Sequence, residues 1–403
     1  MDTGDAGAMR IVHLADIHLG FRQYQRQNQA GFNQREADVA ASLRKVIDKV
    51  IELRPDLVLI AGDVFHTVRP TNPAILHAFN EFSRLVTMVP ETTVVMVAGN
   101  HDTPRTAETG CILNLFKPLG IKVVEGDAQR ISFAHLDLSL LAVPDIPGRK
   151  PVLDPDPHAK YNILLLHGEI EGVIPRYGAT LDRLPMEITH EELGAHRWDY
   201  VALGHYHVYR SVAPNAFYSG SLDYTSTNSW GELAEERETG INGKGIIEHD
   251  LANRTHRFHR IPPSRPWVDL TPVSGAGLSP ASLDELIRDA LEKCDGGIDD
   301  KIVRLVVRDV PRHILRELDH KALRDFKRRA LHFHLDARPE VVRRETGQAS
   351  PGRRASLADT VREKLRSRAL TENIDREALV ELGLHYLREA DAVAGPTVEE
   401  ATA

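Results

Sequence analysis

The stretch Pro55 to His66, PDLVLIAGDVFH, constrains the fold of this chain more than any other. Leu57, Val58, Leu59 and Ile60 are continuously apolar with no helical period, which predicts a strand buried on both faces. Ala61-Gly62 then lets the chain turn sharply and delivers Asp63 just past the strand's carboxyl end. Standing alone, a Gly-Asp after a strand is only a turn. The same phrase recurs, however, in Thr93 to Asp102 (TVVMVAGNHD) and in Tyr200 to His207 (YVALGHYH). Two relatives complete the set, Ile11 to His18 (IVHLADIH) and Asn162 to Gly168 (NILLLHG). Five expected strands therefore end in Asp, His or Asn. In an open α/β sheet, ligands bind in the crevice beyond the carboxyl ends of the strands. Hard oxygen and imidazole donors gathered there predict a metal site.

At 403 residues the chain can bury a sizeable core in two or three domains. No apolar run approaches the ~18 residues of a membrane span. The opening MDTGDAGAM is short, polar and acidic, so residues 1–8 read as disorder and not as a leader. Cys111 and Cys294 are far apart and lack zinc spacing, which fits a reducing cytoplasm. The net charge of −8 speaks against a generic nucleic-acid coat, but its distribution is uneven. Lys301 to Leu370 holds 19 Lys and Arg against 9 Asp and Glu, and Thr371 onward holds 2 against 8. The first 300 residues thus carry −12, an acidity that bound divalent cations would partly cancel.

In chain order, a strand at Arg10 to Ala15 ends in Asp16-Ile17-His18, whose two-residue step points both ligands the same way. Phe21 to Gln34 reads as a surface loop. Glu36 to Leu53 is a helix with Val39, Leu43, Val46, Ile47 and Val50 on one face, completing a β-α-β unit with the opening strand. A helix at about Pro73 to Val86 precedes the third strand, and Gly148 to Lys160 is a loop. Phe217 to Trp230 is a small-polar stretch, and Gly245 to Asp250 with Arg257 to Ile261 a closing hairpin. The strands and helices between Arg10 and this hairpin define an α/β domain at 9–262. Ile261-Pro-Pro-Ser-Arg-Pro266 is a linker into a compact second domain at 267–340. There Ser282 to Cys294 is a helix, Lys301 to Arg308 a strand, His313 to Ala330 a basic and mostly helical stretch, and Leu331 to Asp336 a strand. The alternating His332 and His334 require only a solvated strand face. A polar linker at 341–355 leads to two amphipathic helices within 356–390, with Leu357, Val361 and Leu365 on one stripe and Leu379, Leu382, Tyr386 and Leu387 on the other. Two helices bury little by themselves, so the stripe is expected to dock on a partner protein. Residues 391–403 read as a disordered tail.

Two ions held ~3.5–4 Å apart can clamp the attacking and leaving oxygens of a displacement at phosphorus. Asp63 is the natural bridge between them. Asp16, His18 and one late histidine would complete one ion, and Asn100, His167 and another late histidine the other. Mixed oxygen and nitrogen donors without thiolate suit Mn²⁺, Fe²⁺ or Zn²⁺. His101 and His66 are candidates for a protonated histidine that stabilises the attacked phosphorus or protonates the leaving oxygen.

The ordered set Asp16-x-His18, Gly62-Asp63, Gly99-Asn100-His101-Asp102, His167 and Gly204-His205-x-His207 resembles the calcineurin-like metallophosphoesterase superfamily over roughly Arg10 to His207. The resemblance implies a four-layer αββα sandwich. It also implies that Asp16, His18, Asp63 and His207 hold one metal, that Asp63, Asn100, His167 and His205 hold the other, and that His101 is the catalytic histidine. More narrowly, HLADIHLG (His13 to Gly20), GDVFH (Gly62 to His66), VAGNHD and YVALGHYH followed by YSGSLDYTS are similar to the SbcD family of DNA double-strand-break repair nucleases. That likeness implies a Mn²⁺-dependent 3′→5′ exonuclease on duplex ends and an endonuclease on single strands and hairpins. It further implies a homodimer, a small α+β capping domain that touches DNA, and a C-terminal helical pair that binds an SbcC-type ABC ATPase. The basic stretch Arg304 to Arg329 is where phosphate contacts are expected.

A small-molecule phosphodiesterase or nucleotidase of the same superfamily would share every ligand, though not the ~140 residues beyond the sandwich. A phosphoprotein phosphatase fits less well, because Gly62-Asp63 is followed by Val-Phe-His and Asn100-His101 by Asp102. A non-enzymatic scaffold would have lost a ligand, and none is missing.

Overall fold

The apolar runs form the expected strands and assemble into two stacked six-stranded sheets in the computed structural model, which describes residues 9–104, 110–145, 148, 150–173, 186–241, 243–339, 357–367 and 375–394. The stretch 1–8 and the linker 341–355 lie outside the described residues, as does the tail beyond Ala394. The chain divides into two units, 1–340 and 341–403.

In the first sheet the order is Thr255–Arg260, Gly245–Asp250, Arg10–Leu14, Leu57–Ile60, Thr93–Val97 and Lys122–Val124. Arg10–Leu14, Leu57–Ile60 and Thr93–Val97 run parallel, with Leu14 opposite Ile60 and Ile60 opposite Met96, so their carboxyl ends are level. The second sheet runs Arg210–Ala213, Ala216–Tyr218, Tyr200–Gly204, Tyr161–His167, Leu138–Val143 and Gln129–Phe133. Tyr200–Gly204 pairs parallel with Tyr161–His167, placing Gly204 opposite His167. Alternate side chains of each central strand face opposite cores. Ile11, Leu57, Leu59, Val95 and Val97 meet Leu140, Ile163, Leu165, Tyr200 and Ala202 between the sheets. Val12, Leu14, Val58 and Ile60 pack outward against the helices Gln34–Leu53 and Asn72–Met88. Burial on both faces is why these runs show no alternation, and each such aliphatic side chain contributes about 1.5–3 kcal/mol.

The helix Gln34–Leu53 starts two residues earlier than expected because Asn33 caps it, accepting from the Arg35 and Glu36 amides. Thr71 caps the second helix, with Pro73 in its first turn. The outer face of the second sheet has a thinner cover. Leu153, Met186, Ile188, Leu193 and Trp198 pack there from loops and from the one-turn helix His190–Leu193, which a Thr189–Glu192 capping box closes. A helix absent from the sequence reading spans Ser229–Glu238.

Past the linker, a four-stranded sheet is built on Ile302–Arg308, flanked by Trp267–Asp269, Val273–Ser274 and His332–Ala337. Leu283, Ile287 and Leu291 of the helix Pro280–Glu292 pack with Val303, Leu305, Val307 and Phe333. The basic stretch forms two helices, Arg312–Arg316 and His320–Arg329, the second capped by Asp319. Within the other unit, the helices Leu357–Ser367 and Arg376–Ala394 pack on each other, the latter running four residues into the stretch read as tail. A Cβ on Gly383 would crowd Leu365, and Val380 is buried, whereas Leu382 and Tyr386 of the expected stripe are exposed. Among the described residues, no helix is long and apolar enough to cross a membrane.

Candidate metal centre

The strand ends of both sheets converge on one crevice, and the backbone there is strained. Asp16, His18, Asp63 and His205 have φ of 51°, 52°, 52° and 106°, in the left-handed region that non-glycine residues avoid. Such conformations cost on the order of 1–3 kcal/mol each and persist where the surroundings enforce them. Here the Asp16 amide donates to the Gly62 carbonyl at 3.1 Å, and the His18 amide to the Asp63 carbonyl at 2.9 Å. The recurrent glycine has a matching reason. A Cβ on Gly62 would run into His167 Nδ1, one on Gly99 into Asp63 Oδ1, and one on Gly204 into the Ala61 carbonyl. Only glycine lets the strand ends of the two sheets approach closely enough for their ligands to meet.

The donors gather on two sides of Asp63. Its Oδ2 lies 3.7 Å from His18 Nε2 and 3.6 Å from His167 Nε2. On one side His18 Nε2 is 3.0 Å from His207 Nε2, and Asp16, His18 and His207 form one cluster. On the other side the Asn100 amide oxygen is 3.0 Å from His167 Nε2 and 3.3 Å from His205 Nδ1. Both Asp16 oxygens accept from the His205 amide, at 3.0 and 3.1 Å, tying the two sides together.

The tautomers show what the donor set fits. His167 Nδ1 donates to the Ala61 carbonyl at 2.7 Å, so the lone pair of its Nε2 faces the Asn100 and Asp63 oxygens. His207 Nδ1 is buried and makes no hydrogen bond, with Glu232 Oε1 3.5 Å away, while its Nε2 lies 3.0 Å from His18 Nε2. Ring nitrogens and carboxylate or amide oxygens thus converge across gaps of 3.0–3.7 Å. That arrangement suits divalent cations bound by imidazole and carboxylate, for which metal–ligand distances near 2.0–2.2 Å are usual.

Protonation equilibria carry the same crowding. Burial pushes the Asp16 carboxyl up to about 6, with Asp63 adding to the rise and His207 and His167 opposing it. Burial and the Asp63 charge push Asp102 up to about 7. Burial and the neighbouring His207, His101 and His66 hold His18 well below the usual imidazole range, and burial with His167 brings His205 down to about 3. A neutral imidazole is the ligating form.

His101 and His66 sit at the mouth. The His101 amide donates to Asp63 Oδ1 at 2.8 Å, and its Nδ1 donates to the His66 carbonyl at 2.7 Å. His66 Nδ1 lies 3.4 Å from His18 Nδ1. All nine residues singled out in the sequence therefore come together: Asp16, His18, Asp63, His66, Asn100, His101, His167, His205 and His207.

Three supporting residues escaped the sequence reading. Asp102 accepts from the Val64, Phe65 and Gly99 amides at 3.0–3.1 Å, fixing the turns that carry Asp63 and Asn100. Its place in Asn100-His101-Asp102 was the available signal. Glu232 and Lys244 stand behind His207 with no local motif to mark them; the Lys244 ammonium is 2.5 Å from Glu232, 2.9 Å from Glu236 and 2.9 Å from the His207 carbonyl. Burial alone would raise the Glu232 carboxyl, but Lys244 outweighs it and holds that group down to about 2.

The basic stretch Arg304 to Arg329 divides in two, beginning with Arg304. Its guanidinium is engaged by Asp269 at 2.8 Å and lies over the Trp230 ring, so it ties the small sheet to the body. Lys321, Arg324 and Lys327 of the neighbouring helix are exposed.

Comparison with known proteins agrees with this geometry. Residues 9–209 match the family of calcineurin-like phosphoesterases. The DNA double-strand break repair protein Mre11 of Methanocaldococcus jannaschii is 30% identical over 255 residues, covering 60% of this chain and 63% of that protein. Its namesake from Methanococcus maripaludis is 27% identical with the same coverages. The Mre11 of Methanosarcina acetivorans is 22% identical and aligns with 88% of this chain and 61% of its own length. This chain therefore spans less than two thirds of these relatives.

Proposed function

We propose that this chain, a calcineurin-like metallophosphoesterase homologous to archaeal Mre11 repair proteins, is a two-metal-ion DNA nuclease of double-strand-break repair. It acts in the cytoplasm as a 3′→5′ exonuclease on duplex ends and as an endonuclease on single strands and hairpins. The carrying observation is Asp63 Oδ2, set 3.7 Å from His18 on one side and 3.6 Å from His167 on the other. Asp16, His18, Asp63 and His207 hold one ion, and Asp63, Asn100, His167 and His205 the other, with Mn²⁺ the preferred metal. When bound, the ions supply the positive charge that activates water and neutralises charge developing on the phosphodiester.

The chain's own residues then place the proton. With Nδ1–H donated to the His66 carbonyl, His101 in its protonated form presents Nε2–H to the leaving oxygen, gives it that proton and is left neutral, while His66 stacks on the ring. DNA is held through phosphates by Lys321, Arg324 and Lys327, so affinity depends on salt. A physical path joins this helix to the site: Phe21 packs edge-on against His66, Tyr24 stacks on His332 with centroids 3.8 Å apart, and Arg26 donates to the Arg328 carbonyl. The exposed Leu382 and Tyr386 support docking of the C-terminal helices on an SbcC-type ATPase. A homodimer completes the assembly.

The test is Mn²⁺-dependent digestion of duplex DNA labelled at one 5′ end, beside a cyclic nucleotide and a generic phosphodiester. A ladder from the 3′ end, absent in His101→Ala, is the expected result. Turnover of the small diesters with intact DNA would keep the metal chemistry and overturn the nuclease.

A further inference from the structure

The helix Ser229–Glu238 turns acidic side chains inward, an inversion of the usual pattern. Glu232 and Glu236, one turn apart, are buried, and Lys244 fits between them with its ammonium fully enclosed. A buried ion triad of this kind seldom adds stability over an apolar core. Its contacts show where it acts instead. Glu232 Oε2 receives Lys244, while Glu232 Oε1 faces His207 Nδ1 at 3.5 Å and accepts from the Ser226 amide at 3.2 Å. Lys244 Nζ also donates to the His207 carbonyl, which takes a further bond from the Ser221 amide at 3.1 Å. The triad thus bonds the backbone of one candidate ligand directly and sets a carboxylate 3.5 Å from its buried ring Nδ1, which makes no hydrogen bond. Tyr224 extends it outward: its hydroxyl donates to Glu236 at 2.7 Å, and its ring lies against Lys244 and Trp267, the first residue of the small sheet.

We propose that Glu232, locked by Lys244, is a positioning residue for His207, fixing the tautomer that turns Nε2 to the metal. The proposal rests on the two-ion reading of the crevice. A carboxylate behind a ligating histidine aligns the ring and raises its basicity, and losing one weakens metal binding about 10–100-fold. The other ion is held by His167 and His205, which Glu232 does not touch, so the effect falls on one ion.

The experiment is a Mn²⁺ titration of the full chain, free ion counted by electron paramagnetic resonance, on the native protein, Glu232→Gln and Glu232→Leu. Thermal melts establish folding of each. Glu232→Leu is expected to weaken one ion about 10–100-fold and leave the other unchanged. Glu232→Gln, which keeps an oxygen facing Nδ1 but not the charge, should lie between the native protein and Glu232→Leu at the same ion. If Glu232→Leu does not melt cooperatively, Glu232→Gln decides alone. Unchanged affinity for both ions, or equal weakening of both, overturns the proposal. Failure of the native protein to bind Mn²⁺ would overturn the two-ion reading itself, a distinguishable result.

Discussion

Two buried polar clusters within the first unit differ in how they close. Around Arg35 opposite charges meet. Its guanidinium, fully buried, donates to Asp223 at 2.7 Å, to Asp38 at 3.2 Å and to the Tyr224 carbonyl at 3.1 Å. Asp223 also accepts from Ser42 at 2.9 Å, and Arg265 from the linker closes on Asp38 at 2.8 Å. Of the Arg35 nitrogens only Nε lacks a partner. In the candidate metal crevice, by contrast, histidines converge on buried carboxylates, His18 and His167 lying 3.7 and 3.6 Å from Asp63 and His207 clustering with His18 and Asp16. A cluster closed on itself fixes geometry, here the seat of the linker and small sheet. A cluster of converging acceptors is completed by a cation, and that is where chemistry resides.

The largest effect should separate these two roles. Asp63→Asn removes the negative charge of the proposed shared ligand, and cleavage should fall about 10³-fold or more while the metal-free protein melts no lower than the native one. A lower melt with retained cleavage would make Asp63 structural. Arg35→Met should do the reverse. It leaves the buried Asp223 without its charge partner and should cost about 3–5 kcal/mol in denaturant unfolding, with turnover per folded molecule kept. Loss of turnover without loss of stability would break the contrast.

A third cluster gives a smaller, pH-dependent effect. His13 links the sheets, its Nε2 donating to the Leu203 carbonyl at 3.1 Å and its Nδ1 accepting from the Tyr200 hydroxyl at 3.1 Å. Burial brings its pKa down to about 3, and that of His249 down to about 4. Because the folded values lie below the unfolded value near 6.5, the unfolded chain takes up the protons first. Stability present above pH ~6.5 is therefore lost as pH falls toward 3, by about 1.4 kcal/mol per pH unit for each histidine. Urea unfolding of the native protein and His13→Gln between pH 7 and 5 should differ in slope by one group's share, the native protein losing stability more steeply as pH falls. The smallest expected effect is at the helix His320–Arg329, proposed to contact DNA, where Lys327→Glu should reduce the slope of log affinity against log salt by about 1, with sequence preference unaltered.

Much of the site was legible because its grammar is local. An apolar run, a glycine and a hard ligand identify a strand end wherever they occur, and five repeats left little freedom in the sheet. The reason for the glycines was not legible, since the Cβ clash at Gly204 involves Ala61, far away in sequence. Nor was the left-handed backbone of Asp16, His18, Asp63 and His205, residue types that carry no glycine-like signal for it. The helix Ser229–Glu238 stayed hidden for a different reason. Its buried face carries Glu232 and Glu236, so the apolar stripe that announces a helix is missing. Arg304 misled for the same physical cause, because a basic residue in a basic stretch looks solvated until its partner Asp269 is placed beside it.

The most direct test of the central claim is the number of Mn²⁺ ions bound per chain, measured by paramagnetic resonance on native protein and Asp63→Asn. The account predicts two ions in the native chain, with spin coupling that marks a shared ligand, and loss of both coupling and tight binding in Asp63→Asn. One ion in the native chain, or two uncoupled ions that survive Asp63→Asn, would contradict it.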